Sequence, residues 1–255
     1  MIVTFAHHKG GTGKTTATTS VAGAAALAGR RVLVVDLDPQ ANATAALGVA
    51  TSSLKTTMLD VLTGDVPMRE ILVETDAVVH LAPASLDLVK AEPQLYARGT
   101  PGILAAKNAV APLRDAYDLV LLDTPPGAGI LMLNGLAAAD EIIVTLDPGV
   151  FALEDINALA QILAELPPEV GRGPICERAV LSRAVRPDLI ARLVGRTDPV
   201  ATVLAHLRAR FERVNVIAHD PELFRAQAEG MPIGHIAPQS TAARSYQSLT
   251  SELLP

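Results

Sequence analysis

Two lysines bracket a run of glycines near the amino terminus, Lys9-Gly10-Gly11-Thr12-Gly13-Lys14-Thr15-Thr16. Glycines let backbone amides curl around phosphate oxygens without Cβ clashes, and a helix starting at the end of the run adds N–H donors and a favourable dipole. Lys14 then reaches the β- and γ-phosphates of a nucleotide, and the Thr15 hydroxyl is placed to ligate Mg²⁺. The commoner phosphate-loop spacing has a glycine where His8 stands here. This chain carries instead the extra lysine, Lys9, projecting outward along a bound nucleotide, which suits contact with the phosphates of a second subunit. Read blandly, Lys9 is a solvated loop lysine.

Two acidic segments add to this chemistry. Asp36-Leu37-Asp38-Pro39-Gln40-Ala41-Asn42-Ala43-Thr44 follows a short apolar run, and Asp123-Thr124-Pro125-Pro126-Gly127 follows another. Strand carboxyl ends in a parallel sheet open onto the ligand crevice, so both segments belong beside the phosphates. A carboxylate there orients Mg²⁺-bound or attacking water, because phosphoryl transfer is mostly positioning and charge neutralisation. Asp38 alone also reads as a cap for a helix starting near Gln40. Asp123 is expected to approach Mg²⁺ through water. His7 and His8 invite a metal reading, but no acid or cysteine follows at ligand spacing, so they read as loop residues near the nucleotide.

The elements that must hold these residues are legible from periodicity. Strands are expected at Ile2 to Ala6, Arg31 to Asp36, Val78 to Ala82, Asp118 to Asp123, Glu141 to Leu146, Arg178 to Ser182, Val214 to Ala218 and Pro232 to Ile236. Several are apolar at nearly every position, which predicts helices on both faces. Helices are expected over Thr15 to Ala28, Gln40 to Leu47 and Phe151 to Leu166, each closed by Gly or Pro. A further helical region is expected from Pro187 to Phe211, and Thr51 to Ala111 reads only as mostly helical. The 255 residues show neither a repeat nor a compositional boundary. The expected fold is one α/β domain over 1–255, a mostly parallel twisted sheet of about eight strands.

The pattern K-G-G-x-G-K-T-T resembles the deviant Walker A P-loop ATPases: ParA, Soj and MinD partition and positioning proteins, nitrogenase iron protein and arsenite-pump ATPases. The run from Asp36 to Thr44 resembles the ParA branch, as do Asp123-Thr124-Pro125-Pro126 and Phe151-Ala152-Leu153-Glu154. The likeness continues more weakly to the carboxyl terminus. It implies that Lys9 crosses a dimer interface to the partner's ATP, so that two ATP molecules are sandwiched between subunits. It also implies that Asp38 orients the attacking water and that Asp36 lies on the Mg²⁺ side. Adenine contacts fall on Ser182, Arg183 and Ala218-His219-Asp220, although the family often has Pro-Arg-Asn where the last three stand. Arg225 and Thr145 likewise replace a common glutamate and proline.

One cysteine, Cys176, excludes the cluster-bearing and C-x-x-C branches. Three tyrosines do not make the tyrosine-rich tail of the related kinases. The carboxyl-terminal segment, with one arginine and no lysine after Ser240, lacks the basic face of a membrane-binding helix. Net charge is −6, yet residues 172–213 hold nine arginines against four carboxylates. The resemblance implies that Arg183, Arg186, Arg192, Arg196, Arg208, Arg210 and Arg213 meet DNA phosphates, a sequence-independent and salt-sensitive attraction. A solvated helix face is the competing reading. The leading expectation is a cytoplasmic, nucleoid-associated ParA-like partition ATPase using ATP and Mg²⁺. Its homodimer would hold nonspecific double-stranded DNA until a ParB-like partner stimulates slow hydrolysis, with no membrane contact. The alternatives are a MinD-like or adaptor positioning ATPase that docks on a membrane or protein without holding DNA, and a regulator that binds ATP but barely hydrolyses it.

Overall fold

The computed structural model describes residues 1–148, 152–170, 173, 175–184 and 199–254. Its strands are β1 (Ile2–Ala6), β2 (Val32–Asp36), β3 (Val73–Glu74), β4 (His80–Ala82), β5 (Leu119–Asp123), β6 (Glu141–Leu146), β7 (Ile175–Ala184) and β8 (Arg213–Ala218). They form one sheet in the order β3-β4-β2-β5-β1-β6-β7-β8, parallel except for the β3–β4 pair. The helices are α1 (Lys14–Leu27), α2 (Asn42–Ala46), α3 (Met58–Thr63), α4 (Ala91–Ala97), α5 (Thr100–Ile103), α6 (Ala105–Val110), α7 (Ile130–Ala138), α8 (Ala152–Ala164), α9 (Pro199–Arg210), α10 (Glu222–Ala228), α11 (Ile233–Ile236) and α12 (Thr241–Leu253).

Period-two alternation divides each central strand between two cores. Val3, Phe5, Val34 and Leu121 pack with Val21 of α1 and Tyr246 and Leu249 of α12. Ile2, Leu33, Val35 and Leu122 pack on the opposite face with Leu95 of α4, Ala106 of α6 and Leu131 of α7. Every residue of β1, β2 and β5 is buried, as helices on both faces require. The chain leaves β1 to opposite sides of the sheet, β5 and β2 on one side and β6 to β8 on the other, so the crevice opens at its carboxyl end.

One expectation for the elements fails. Pro232 to Ile236 is not a strand: Pro232 precedes the short α11, and its carbonyl accepts the His235 N–H at 2.9 Å. Pro232 packs so closely on Gly23 of α1 that a Cβ at that glycine would lie 2.3 Å from the proline ring, leaving the segment against a helix rather than a sheet edge. The two-residue β3, missed in the sequence, restores the count of eight. Residues 51–111 hold short helices and 3-10 turns interrupted by β3 and β4.

The turn joining β3 to β4 places Val78 at φ 57° with 68% of its surface exposed. A β-branched residue in the left-handed region is strained by about 1–2 kcal/mol, and asparagine tolerates the region far better. Val78→Asn is expected to stabilise the protein by about 1 kcal/mol and raise the melting temperature by about 2–4 °C in calorimetry. An unchanged or lowered melting temperature would show that the turn holds no such strain.

Candidate functional site

The loop from His7 to Gly13 leaves β1 and ends where α1 begins. Gly13 is the residue before the helix, at φ 92°, and a Cβ there would meet Ser182 Oγ at 2.8 Å. Glycine satisfies both constraints. No side chain caps α1 and its first turn carries no acid, so its amides and positive dipole end face the loop. Lys14 is buried, and its Nζ donates to the Lys9 carbonyl at 3.0 Å across the inside of the curl. Burial lowers the Lys14 pKa, while Asp123 and Asp38 oppose that shift by favouring the cation.

Strand register delivers the acids. Asp36 of β2 pairs with Asp123 of β5, which in turn pairs with Phe5 of β1, so both carboxylates sit at the carboxyl edge beside the loop. Both are fully buried. Asp123 Oδ2 accepts the Thr15 hydroxyl at 2.7 Å, joining the first turn of α1 to the end of β5. Asp36 spends its oxygens locally: Oδ1 accepts the Asp38 N–H at 3.0 Å, and Oδ2 accepts the N–H and hydroxyl of Thr44 at 2.9 and 2.7 Å. Asp36 therefore shapes the loop that carries Asp38. Asp38 Oδ1 accepts the Gln40 N–H at 2.9 Å, a turn that delays α2 to Asn42.

Burial pushes the pKa of Asp36 and Asp123 above the usual carboxylate range, and for Asp123 the Asp36 charge pushes further. A divalent cation would relieve both, and a hydroxyl beside carboxylates is the hard-oxygen set that Mg²⁺ takes. The donor set fits Mg²⁺, which Thr15 and Asp123 would hold.

Above this floor opens a cavity of about 710 Å³, lined by the phosphate loop, Asp38 and residues from β7, β8, α10 and α12. Of the expected adenine-side residues, Ser182, Arg183, His219 and Asp220 line it, whereas Ala218 does not. Ser182 faces the phosphate loop; its buried Oγ has no hydrogen-bond partner among the described residues. Arg183, at φ 53°, sends its guanidinium to the Gly11 carbonyl at 2.5 Å and to Asp147, so it braces the loop. Asp220 accepts the N–H of Glu222 at 3.1 Å and of Ala242 at 3.0 Å, joining the starts of α10 and α12. Thr145 holds Thr12 from below, hydroxyl to hydroxyl at 3.1 Å.

The remaining arginines divide. Arg208 and Arg210 end α9 and Arg213 opens β8; all three are exposed and unpaired with any carboxylate among the described residues. Because β8 runs parallel to β7, they stand at the opposite edge of the sheet from the loop. Arg186, Arg192 and Arg196 lie outside the described residues. At the third strand from the centre, buried Arg178 pairs with Glu141 at 3.1 Å and Glu252 of α12 at 2.5 Å, fastening α12 to the sheet.

Asp155 of α8 was not foreseen. It pairs with Lys9 Nζ at 2.5 Å and faces His8 and His7 at 3.5 and 3.7 Å. Two imidazoles and a carboxylate within 4.8 Å of one another could hold a metal ion. The hydrogen bonds speak against it. The Lys9 N–H donates to His7 Nδ1 at 2.9 Å, and burial lowers the His7 pKa to about 4, so the neutral ring carries its proton on Nε2, the atom aimed at Asp155. The Lys9 ammonium already occupies that carboxylate.

Comparison with known proteins agrees with this geometry. The family model described as "AAA domain" matches residues 1–170. The chromosome-partitioning ATPase Soj of Thermus thermophilus is 38% identical over 260 residues, covering 99% of this chain and 94% of that one. A solved cobyrinic acid a,c-diamide synthase from Mycobacterium smegmatis with bound ADP and magnesium is 31% identical at a TM-score of 0.79, covering 99% and 93%. The septum site-determining protein MinD of Pyrococcus horikoshii, complexed with Mg-ADP, is 25% identical at a TM-score of 0.78, covering 99% and 95%. With a family model matched over residues 1–170 and a Soj relative over nearly its whole length, the chain belongs to the ParA/MinD-type P-loop ATPases, the family to which its second lysine pointed.

Proposed function

We propose that this protein is a ParA-like partition ATPase: ATP and Mg²⁺ drive a nucleotide-sandwich dimer, the dimer holds nonspecific DNA, and hydrolysis stimulated by a ParB-like partner releases it. The observation that carries the proposal is Lys14, Thr15 and Asp123 gathered around an uncapped helix start, with Lys9 held at the rim. Lys14 and the loop amides bind the phosphates. Thr15 and Asp123 hold Mg²⁺, which neutralises phosphate charge. Asp38, on a loop fixed by Asp36, directs the attacking water. The carboxyl-terminal helix favours DNA over a membrane as the dock, because the apolar residues Ala242, Ala243, Tyr246, Leu249 and Leu253 of α12 are buried against the body.

Of the described arginines expected at DNA, Arg183 is engaged with Asp147 and the Gly11 carbonyl, and Arg208, Arg210 and Arg213 are the ones assigned to DNA here. Each neutralised phosphate contributes about 0.9 to the slope of log affinity against log salt. A triple alanine variant is therefore expected to bind random-sequence duplex more weakly, with a slope shallower by about 0.9 for every phosphate it no longer neutralises. Equal affinity and slope in a mobility-shift series would remove these arginines from the DNA surface.

A further inference from the structure

We propose that Phe224 is the base-stacking residue of the nucleotide site and takes the face of a purine ring. The inference rests on the ATP reading above and adds a residue to it. Phe5 and Phe211 are buried in the core, as apolar rings ordinarily are, but Phe224 is 79% exposed. It lines the same cavity of about 710 Å³ as the phosphate loop.

The helix that carries it is tied to the phosphate-loop side of the cavity. Gln227, one turn further along α10, donates from Nε2 to Thr16 Oγ1 at 2.9 Å, which ties the helix to the first turn of α1 just past the loop. Phe224 and Gln227 are three residues apart and share a helix face. Elsewhere on α10, Arg225 pairs with Glu222 at 2.8 Å and Glu229 at 3.2 Å. Asp220, which also lines this end, is committed to backbone N–H groups. The neighbouring lining includes the apolar Ile217 and Tyr246, both buried, and half-buried Leu223, beside exposed His219. An exposed aromatic ring at the wall of a cavity recognises a flat π-face, and the larger purine overlaps it more than a pyrimidine does.

The chain contains no tryptophan, so Phe224→Trp installs a single fluorescent reporter at the stacking position. Parent, Phe224→Ala and Phe224→Trp are titrated with ATP, CTP and inorganic tripolyphosphate, each with Mg²⁺, using calorimetry for affinity and emission for the tryptophan variant. The expected result is a loss of about tenfold in ATP affinity for Phe224→Ala with tripolyphosphate affinity unchanged. Phe224→Trp should restore ATP affinity, change its emission with ATP but not with tripolyphosphate, and bind CTP more weakly than ATP. If the parent binds ATP and Phe224→Ala binds it equally well, or if Phe224→Ala loses ATP and tripolyphosphate alike, the stacking role is wrong. A parent that takes up neither ATP nor tripolyphosphate contradicts the nucleotide reading itself.

Discussion

Lys14→Ala is expected to lose ATP hydrolysis by at least two to three orders of magnitude, with MgATP affinity falling alongside and the fold intact. The lysine is buried beside Asp38 and Asp123, and its ammonium is already aimed into the loop by the bond to the Lys9 carbonyl. Without it, a polyanionic ligand meets these carboxylates with no cation inside the loop. Removing one preorganised donor to developing charge costs about 10²- to 10³-fold in turnover, and a full positive charge in a desolvated loop belongs at the upper end or beyond. Steady-state phosphate release and far-UV circular dichroism together test this. Turnover within tenfold of the parent would place the phosphates elsewhere.

Lys9→Ala should separate the two lysines. Lys9 is half-exposed at the rim, paired with Asp155 of its own chain. To reach a partner's nucleotide it must exchange that carboxylate for phosphate oxygens. Nothing in this exchange contributes to ATP uptake by a single subunit, so the variant is expected to bind MgATP about as well as the parent while remaining a monomer in light scattering. A cation supplied in trans is worth about 10³- to 10⁵-fold in related phosphoryl transfers, and turnover should fall by a comparable factor. A variant that dimerises with ATP and hydrolyses it at the parent rate would confine Lys9 to its pair with Asp155.

These two predictions rest on residues that the sequence placed well, because they lie in one continuous run between a strand and a helix. The acids were legible for a related reason: an apolar run ending in a carboxylate becomes, in a parallel sheet, a carboxylate at the crevice, and the register of Asp36 with Asp123 follows. What stayed hidden depends on long-range approach. Asp155 meets Lys9 across 146 positions of chain, and no spacing rule connects a helix acid to a loop lysine that far upstream. Asp147, one residue past β6, carried the same strand-end signal as Asp123 and could have been found by it. Phe224 is indistinguishable in sequence from a core aromatic; only the structure leaves it in the open. Pro232 to Ile236 looked like a strand because its apolar residues are β-branched, yet its neighbour in space is Gly23 of α1 and not another strand.

Among the described residues, the nucleotide site and the arginines Arg208, Arg210 and Arg213 stand at opposite edges of the sheet. In the proposed function, dimerisation on ATP doubles this arginine surface and so couples ATP to DNA binding. The most direct measurement is binding to long random-sequence duplex DNA with MgATP, with MgADP and without nucleotide, each at two salt concentrations. The account predicts tight binding with ATP alone, weakened severalfold or more at the higher salt. Equal binding in all three states, or none in any state once ATP uptake is confirmed, would contradict it.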